Sequence, residues 1–275
     1  MPKNSRIEIY YQSSIPRSGS TLLQNVIGQN PEFYVSPTSG VAELLFGARK
    51  QYSTAEEFRA QDAEEMKKAW KGFCQGSLQG WYGALTDKPR VVDKCRGWGY
   101  YYDFVKSYSE DPKMICMVRD LRGVFSSMEK KHRKNAEADN GVVDWGKGEG
   151  TTIEKRLVRW SNSPPVGLAL ERLKEIIDVG NDEHILFIKF EDFTENPKAE
   201  MERVYEYLGL PYYDHDFDNV EQITHEDDRV YGPFGDHIIR KKVQPLKPDW
   251  DEILGRNLSA SVIASYQWFY DYFKY

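Results

Sequence analysis

Between a strand-like run and a helix-like one, Ile15-Pro16-Arg17-Ser18-Gly19-Ser20-Thr21-Leu22 sets a glycine, three hydroxyls and an arginine side by side. A helix that starts here presents unpaired backbone N–H groups and the positive end of its dipole, which together suit a phosphate or sulfate. Gly19 lets the backbone approach an anion closely, Ser20 and Thr21 add hydroxyl donors, and Arg17 supplies a planar cationic fork. The same residues also make an ordinary helix cap. A triphosphate-binding loop needs a lysine after the glycine and another glycine five residues before it. Neither is present, so this loop would hold an anion without the Lys–Mg²⁺ arrangement.

A second candidate follows the apolar run Lys113–Val118 and reads Arg119-Asp120-Leu121-Arg122-Gly123-Val124-Phe125-Ser126-Ser127. An arginine leaving the carboxyl end of a buried parallel strand points into the crevice where such sheets bind ligands. Ser127 falls about two turns into the next helix, where it can close on the same anion as Arg119. The alternative is an Arg119–Asp120 surface pair with a neutral Ser127.

These two motifs resemble those of the sulfotransferases that use 3′-phosphoadenosine 5′-phosphosulfate (PAPS). In that family a P-[KR]-[ST]-G-[ST]-[ST] loop holds the 5′-phosphosulfate, and R-[DN]-x-[RK]-x-x-x-x-S after a strand holds the 3′-phosphate. The arginine variant of the loop looks like the tyrosylprotein sulfotransferase branch. A third stretch, Ile188-Lys189-Phe190-Glu191-Asp192-Phe193 with Asn196-Pro197 and Leu208-Gly209-Leu210, resembles the family's Y-E-D-L strand–helix unit. Phe190 stands where the family has tyrosine, keeping a ring near adenine and losing a hydroxyl. The resemblance implies PAPS as donor and 3′-phosphoadenosine 5′-phosphate (PAP) as product, with no metal. The nucleotide would be held by Arg17, Ser18, Gly19, Ser20, Thr21, Leu22, Arg119, Ser127, Lys131 and Phe190. Arg240 and Lys241, in the run Arg240-Lys241-Lys242, resemble the family's basic C-terminal loop; a solvated charge run is the alternative.

Sulfuryl transfer is an in-line displacement, so the protein must neutralise the leaving oxygen and take the acceptor's proton. Arg17 is the expected clamp on the leaving phosphate. Lys94 matches the lysine of an N-K-D-P-like element in the tyrosylprotein branch and is expected to stabilise the transition state; pairing with Asp93 is the alternative. For the base, Glu43 is the carboxylate between Pro37 and Arg49 that the resemblance suggests. His237 and His225 follow, because a neutral imidazole is a competent base near pH 7. His132, His184 and His215 read as structural or solvated.

The elements that must position these groups alternate. Strands are expected at Ile7–Tyr11, Arg90–Asp93, Lys113–Val118 and His184–Lys189. Pro37–Gly40 reads as a turn before a helix at 41–50. A capping box at Ser53–Glu56 would open a helix running to about Gly72. Helices follow from Leu121 to Lys134, from Thr152 to Asp178 with a break at Pro164-Pro165, from Pro197 to Leu208, and after Pro248 to Phe273. Asn135–Gly150 is polar and glycine-rich, a surface loop or lid. The pattern predicts an α/β fold in a single domain over residues 1–275. Its central parallel sheet is covered by helices on both faces, with a P-loop-like strand–loop–helix.

Composition narrows the function. The chain has 275 residues, 40% of them hydrophobic and 29% charged, which suits a globular protein. A net charge of −6 argues against a general nucleic-acid binder. No run reaches the roughly 20 apolar residues of a membrane span, and the N-terminus lacks the apolar core of a signal peptide. The expected location is cytoplasmic. Cys74, Cys95 and Cys116 have no metal-like spacing. The expected partner is an unidentified acceptor, and a homo-oligomer is allowed. Two rival readings are a P-loop kinase with Asp120 as metal ligand, and a non-catalytic binder of anionic ligands. Tyrosine and tryptophan clusters at Trp81-Tyr82 and Trp98–Tyr102 are either core or border of an acceptor cleft.

Overall fold

The computed structural model describes residues 6–138 and 152–275. In chain order its elements are β1 (Glu8–Ser14), α1 (Ser20–Ile27), β2 (Phe33–Thr38), α2 (Val41–Thr54), α3 (Glu56–Arg59), α4 (Ala63–Leu85) and β3 (Arg90–Lys94). Then come α5 (Tyr102–Lys106), β4 (Met114–Val118), α6 (Leu121–Ala138), α7 (Ile153–Asn162), α8 (Val166–Asp178) and β5 (Ile185–Lys189). The chain continues through α9 (Phe190–Glu195), α10 (Pro197–Leu208), α11 (Trp250–Ile253), α12 (Arg256–Ser265) and α13 (Gln267–Phe273). All five strands are parallel, in the order β2-β3-β1-β4-β5. The connection direction reverses beside β1, and the carboxyl ends of β1 and β4 flank the crevice this creates.

Alternation along the strands feeds two apolar cores. Tyr11, Val91, Met114, Cys116 and Val118 point into the layer of α2, α4, α5, α6, α8 and α13. Tyr10, Val92, Ile115, Met117 and Ile188 point the other way, onto α1 and α10. The α/β architecture is therefore the expected one. Tyr82, Trp98, Tyr101 and Tyr102 are core, whereas Trp81 and Tyr100 are exposed. All three cysteines are free and buried. Burial pushes the thiols of Cys74 and Cys116 up to about 12 and that of Cys95 to about 11.

Several local expectations change. A fifth strand, β2, lies at the edge of the sheet and contains Pro37, which had read as a turn. Proline is tolerated there because an edge strand need not donate on its outer side. Strand β1 runs on to Ser14 through buried Gln12, Ser13 and Ser14. Gln12 and Ser13 donate to the carbonyls of Ser20 and Arg96, so these polar residues knit the loops at the strand ends. Ser53 and Thr54 do not cap a helix; they end α2 and return their hydroxyls to the carbonyls of Arg49 and Lys50. The long helix α4 is capped by Asp62, whose side chain accepts from Glu64 N and Glu65 N. It runs to Leu85, past Gly72. Helix α6 continues beyond Lys134 to Ala138, and the remainder of the glycine-rich stretch lies outside the described residues. The break between α7 and α8 falls at Pro164-Pro165, and α10 ends at Gly209, as expected.

Candidate active site

At the carboxyl ends of the strands, β1 leads into the loop of Arg17 and Gly19, β4 into Arg119 and β5 into Phe190, and these line one cleft. After β1 the chain turns through Arg17 at φ 61° and Gly19 at φ 83° before α1 begins. These left-handed residues fold the loop back so that the free N–H groups of the first turn of α1 face one space. Gly19 is required twice. Its φ suits glycine, and a Cβ there would lie 2.6 Å from Cδ2 of Phe190.

The end of β4 closes on this loop. Arg119 Nη1 donates to the carbonyl of Arg17 across 2.9 Å, and its guanidinium lies 4.5 Å from the centre of the Phe190 ring. Its Nε is buried with no hydrogen-bond partner. Burial pushes the Arg119 pKa down from its ordinary value against the pull of Glu191, and a bound anion would favour the charged form further. Gly123 makes room for Arg119, since a Cβ there would sit 3.0 Å from Nε. Arg17 Nε donates to Ser127 Oγ at 2.9 Å, which joins the two motifs directly. Asp120 does not pair with Arg119. It is buried, with Arg122 at 2.5 Å and the Tyr270 hydroxyl at 3.0 Å, which occupies the carboxylate a kinase would offer to Mg²⁺.

The resulting cleft, about 360 Å³, is lined by eight cationic side chains. They are Arg17, Arg96, Arg119, Lys130, Lys131, Lys134, Arg240 and Lys242; among the described residues the single lining carboxylate is Asp236. An acidic chain thus concentrates positive potential in one place. Of the residues singled out from the sequence, Arg17, Gly19, Ser20, Thr21, Leu22, Arg119, Ser127, Lys131, Phe190, His237 and Arg240 line it. Ser18 is buried beneath, its hydroxyl donating to Ile15 O at 2.7 Å.

Other expected residues are elsewhere. Lys241 is exposed off the cleft and its carbonyl accepts from Val220 N. Glu43 is exposed in the first turn of α2 and does not line the cleft. His225 is exposed, His184 stacks on Tyr102, His132 packs edge-on to Trp160, and His215 is buried among tyrosines. Lys94 does not line the cleft either, and its partner is not Asp93. Asp93 points to the opposite face, where it accepts from the Trp98 indole and the Tyr82 hydroxyl. Burial raises the Asp93 carboxyl to about 6.

Lys94 instead donates from Nζ to Thr21 Oγ1 at 3.2 Å and to Glu226 Oε1 at 2.9 Å. Glu226 went unnoticed in the sequence. Its Oε1 also accepts from the backbone N–H and hydroxyl of Thr38, at the end of β2. Burial alone would raise the Glu226 carboxyl, but Lys94 and the Thr38 N–H outweigh it and hold it at about 2. The ammonium of Lys94 is pushed down by burial against the pull of Glu226. The loop that carries Glu226 is pinned to α1 by Asn25, whose Oδ1 accepts from Ile223 N and Thr224 N. Further along it, His237 Nδ1 lies 2.6 Å from Asp228 Oδ1, and Asp236 grips Arg17.

A parallel α/β sheet with a cationic, loop-built cleft at its switch point is suited to an anionic ligand. The chain belongs to the sulfotransferase family, whose model matches residues 13–214. No curated protein sequence matches it. Among solved structures, it is similar to the sulfotransferase domain of the Synechococcus PCC 7002 olefin synthase, at 16% identity. That match covers 96% of this chain and 97% of the other, with a TM-score of 0.48. A sulfotransferase from Alicyclobacillus acidocaldarius matches at 16% identity over 94% and 93%, TM-score 0.47. A mouse sulfotransferase complexed with PAP matches at 16% identity over 77% and 61%, TM-score 0.42.

Proposed function

We propose that this protein moves a sulfuryl group from PAPS to a hydroxyl or amine of an acceptor molecule. The observation that carries this reading is the meeting of Arg17, Arg119 and Ser127 in one cationic cleft, reached from two strand ends. A nucleotide with phosphates at both ends needs two anion sites within one groove. The unpartnered Nε of Arg119 and the side-chain-free backbone at Gly19 fit such a ligand. Leu22, Phe190, Ile239 and Leu246 add an apolar wall suited to a planar base.

PAPS supplies an electrophilic sulfur and a phosphate leaving group. The fork of Arg17 and the N–H groups at the start of α1 donate to the charge that develops on the leaving oxygen. Lys94, neutralised by Glu226, props the loop from beneath through Thr21. Arg119 and Ser127, with Lys131 and Arg240, hold the other phosphate. His237 lines the cleft and takes the acceptor's proton. Glu43 has no place in this scheme, because it is exposed outside the cleft.

Thermal unfolding with PAP, with ATP plus Mg²⁺, and with neither tests the reading. Ligand at about 100 times its dissociation constant adds about 2.7 kcal/mol, a shift of a few degrees for a chain this long. Stabilisation by PAP that is lost in Arg17→Ala and in Arg119→Ala supports the assignment. Stabilisation by ATP plus Mg²⁺ alone overturns it in favour of a kinase.

A further inference from the structure

We propose that Asp228 is a positioning residue: it fixes the tautomer of His237 so that Nδ1 carries the hydrogen and Nε2 the lone pair. The inference rests on His237 serving as the base, as above. The carboxylate of Asp228 grips His237 twice. Its Oδ2 accepts from the backbone N–H at 3.1 Å, and its Oδ1 lies 2.6 Å from ring Nδ1. An ionised carboxylate can only accept, so Nδ1 carries the hydrogen and, in the neutral ring, Nε2 carries the lone pair.

The backbone is built to bring these two residues together. A 3₁₀ turn over Asp228–Phe234 reverses the chain, and Gly235 then passes so close that a Cβ would lie 2.1 Å from Asp228 O. Just past the His237 ring, Gln222 ties down the backbone: its Nε2 donates to His237 O, and its Oε1 accepts from Ile239 N. The ring also packs against Tyr231, 5.0 Å between centres.

Glu226 Oε2, itself buried, lies 3.6 Å from Nε2. That separation is too long for a hydrogen bond and leaves Nε2 available. During transfer the acceptor oxygen bonds to sulfur and its proton passes to Nε2. The bond from sulfur to the bridging phosphate oxygen breaks with its electron pair on that oxygen. The imidazolium so formed lies between Asp228 and Glu226, two carboxylates already in place.

Histidine labelled with ¹⁵N reports the tautomer directly, because protonated and lone-pair ring nitrogens of a neutral imidazole resonate far apart. His237→Gln assigns the signal among the five histidines of the chain. At a pH that leaves the ring neutral, wild type should show Nδ1–H with an unprotonated Nε2, and Asp228→Asn should lose that preference. Nε2–H in wild type, or an unchanged tautomer in Asp228→Asn, overturns the proposal. Transfer from labelled PAPS to water gives the second readout. Asp228→Asn should lower it about 10²- to 10⁴-fold with PAP affinity unchanged, and Asp228→Glu should restore part of it. Transfer at the wild-type rate in Asp228→Asn also overturns it. Should wild type fail to bind PAP, the sulfotransferase reading falls, while the tautomer measurement still decides the role of Asp228.

Discussion

Arg17 and Asp236, 219 residues apart, hold each other across 2.5 Å in the mouth of the cleft. The carboxylate thus sits on the group proposed to clamp a phosphate, and an incoming anion must share Arg17 or displace it. Asp236→Asn is expected to tighten PAP binding about fivefold, roughly the 1 kcal/mol of a partly exposed ion pair. Calorimetric titration at low and high salt checks this, and the gain should shrink as salt screens the charge. Weaker binding would instead mean that Asp236 orients Arg17 for the ligand.

Gly19→Ala must adopt a φ of 83° and push against Phe190. The expected loss is about 2 kcal/mol of stability from the left-handed backbone and the steric contact together. PAP binding should fall as well, because the loop cannot keep its shape. Urea unfolding of Gly19→Ala, Phe190→Ala and the double variant separates the causes. The double variant should lose less than the sum of the two single ones, since the contact between them can be lost only once.

Glu226→Gln leaves Lys94 buried without its counter-charge, and both side chains are nearly inaccessible. The expected cost is about 3 kcal/mol at neutral pH. The Glu226 carboxyl is depressed to about 2 from an ordinary 4.5. Its contribution is therefore full above about pH 4.5 and drains away as the pH falls toward 2. Wild type and variant should differ in unfolding free energy by a constant amount above pH 5 and converge in acid.

His215 works in a different pH window. It is buried among Tyr205, Tyr212, Tyr213 and Phe217, and both ring nitrogens lack a side-chain hydrogen-bond partner. Burial lowers its pKa to about 4 from an ordinary 6.5. As the pH falls through 6.5 the unfolded chain binds the proton first, so stability is lost between about 6.5 and 4. Asp93, raised to about 6, acts in the opposite sense: its contribution declines as the pH rises from about 4 to 6. His215→Phe should remove up to about 3 kcal/mol of acid-side loss and leave the decline from Asp93 visible. Urea midpoints from pH 4 to 7 read the change in slope.

What the sequence disclosed was local. The loop from Pro16 to Leu22 and the Arg119–Ser127 segment each carry their geometry within a few residues of a strand end, so spacing suggested them and the resemblance to the sulfotransferases joined them. Strand β2 was hidden because Ser36 and Pro37 look like a turn until the sheet edge excuses the missing N–H. The polar end of β1 was hidden because Gln12 and Ser13 are satisfied by loops that only the fold brings near. Glu226 was invisible for the same reason. Its meaning comes from Lys94, 132 residues away, and from Thr38, 188 residues away, in a stretch that reads as an acidic loop. Glu43 falls outside the cleft and His237 lines it, because sequence distance from the first helix says nothing about which face of α2 meets the cleft.

The three sheltered thiols give the molecule its own clock. Cys74 lies in α4, Cys95 just beyond β3 and Cys116 inside β4, so together they sample the helical layer and the heart of the sheet. With so little thiolate and no access, an aromatic disulfide reagent can react only when those parts open. The rate of colour release then measures opening under native conditions, without denaturant. Slowing of all three by PAP would show that a ligand seated on the loops at the strand ends restrains the whole sheet behind them.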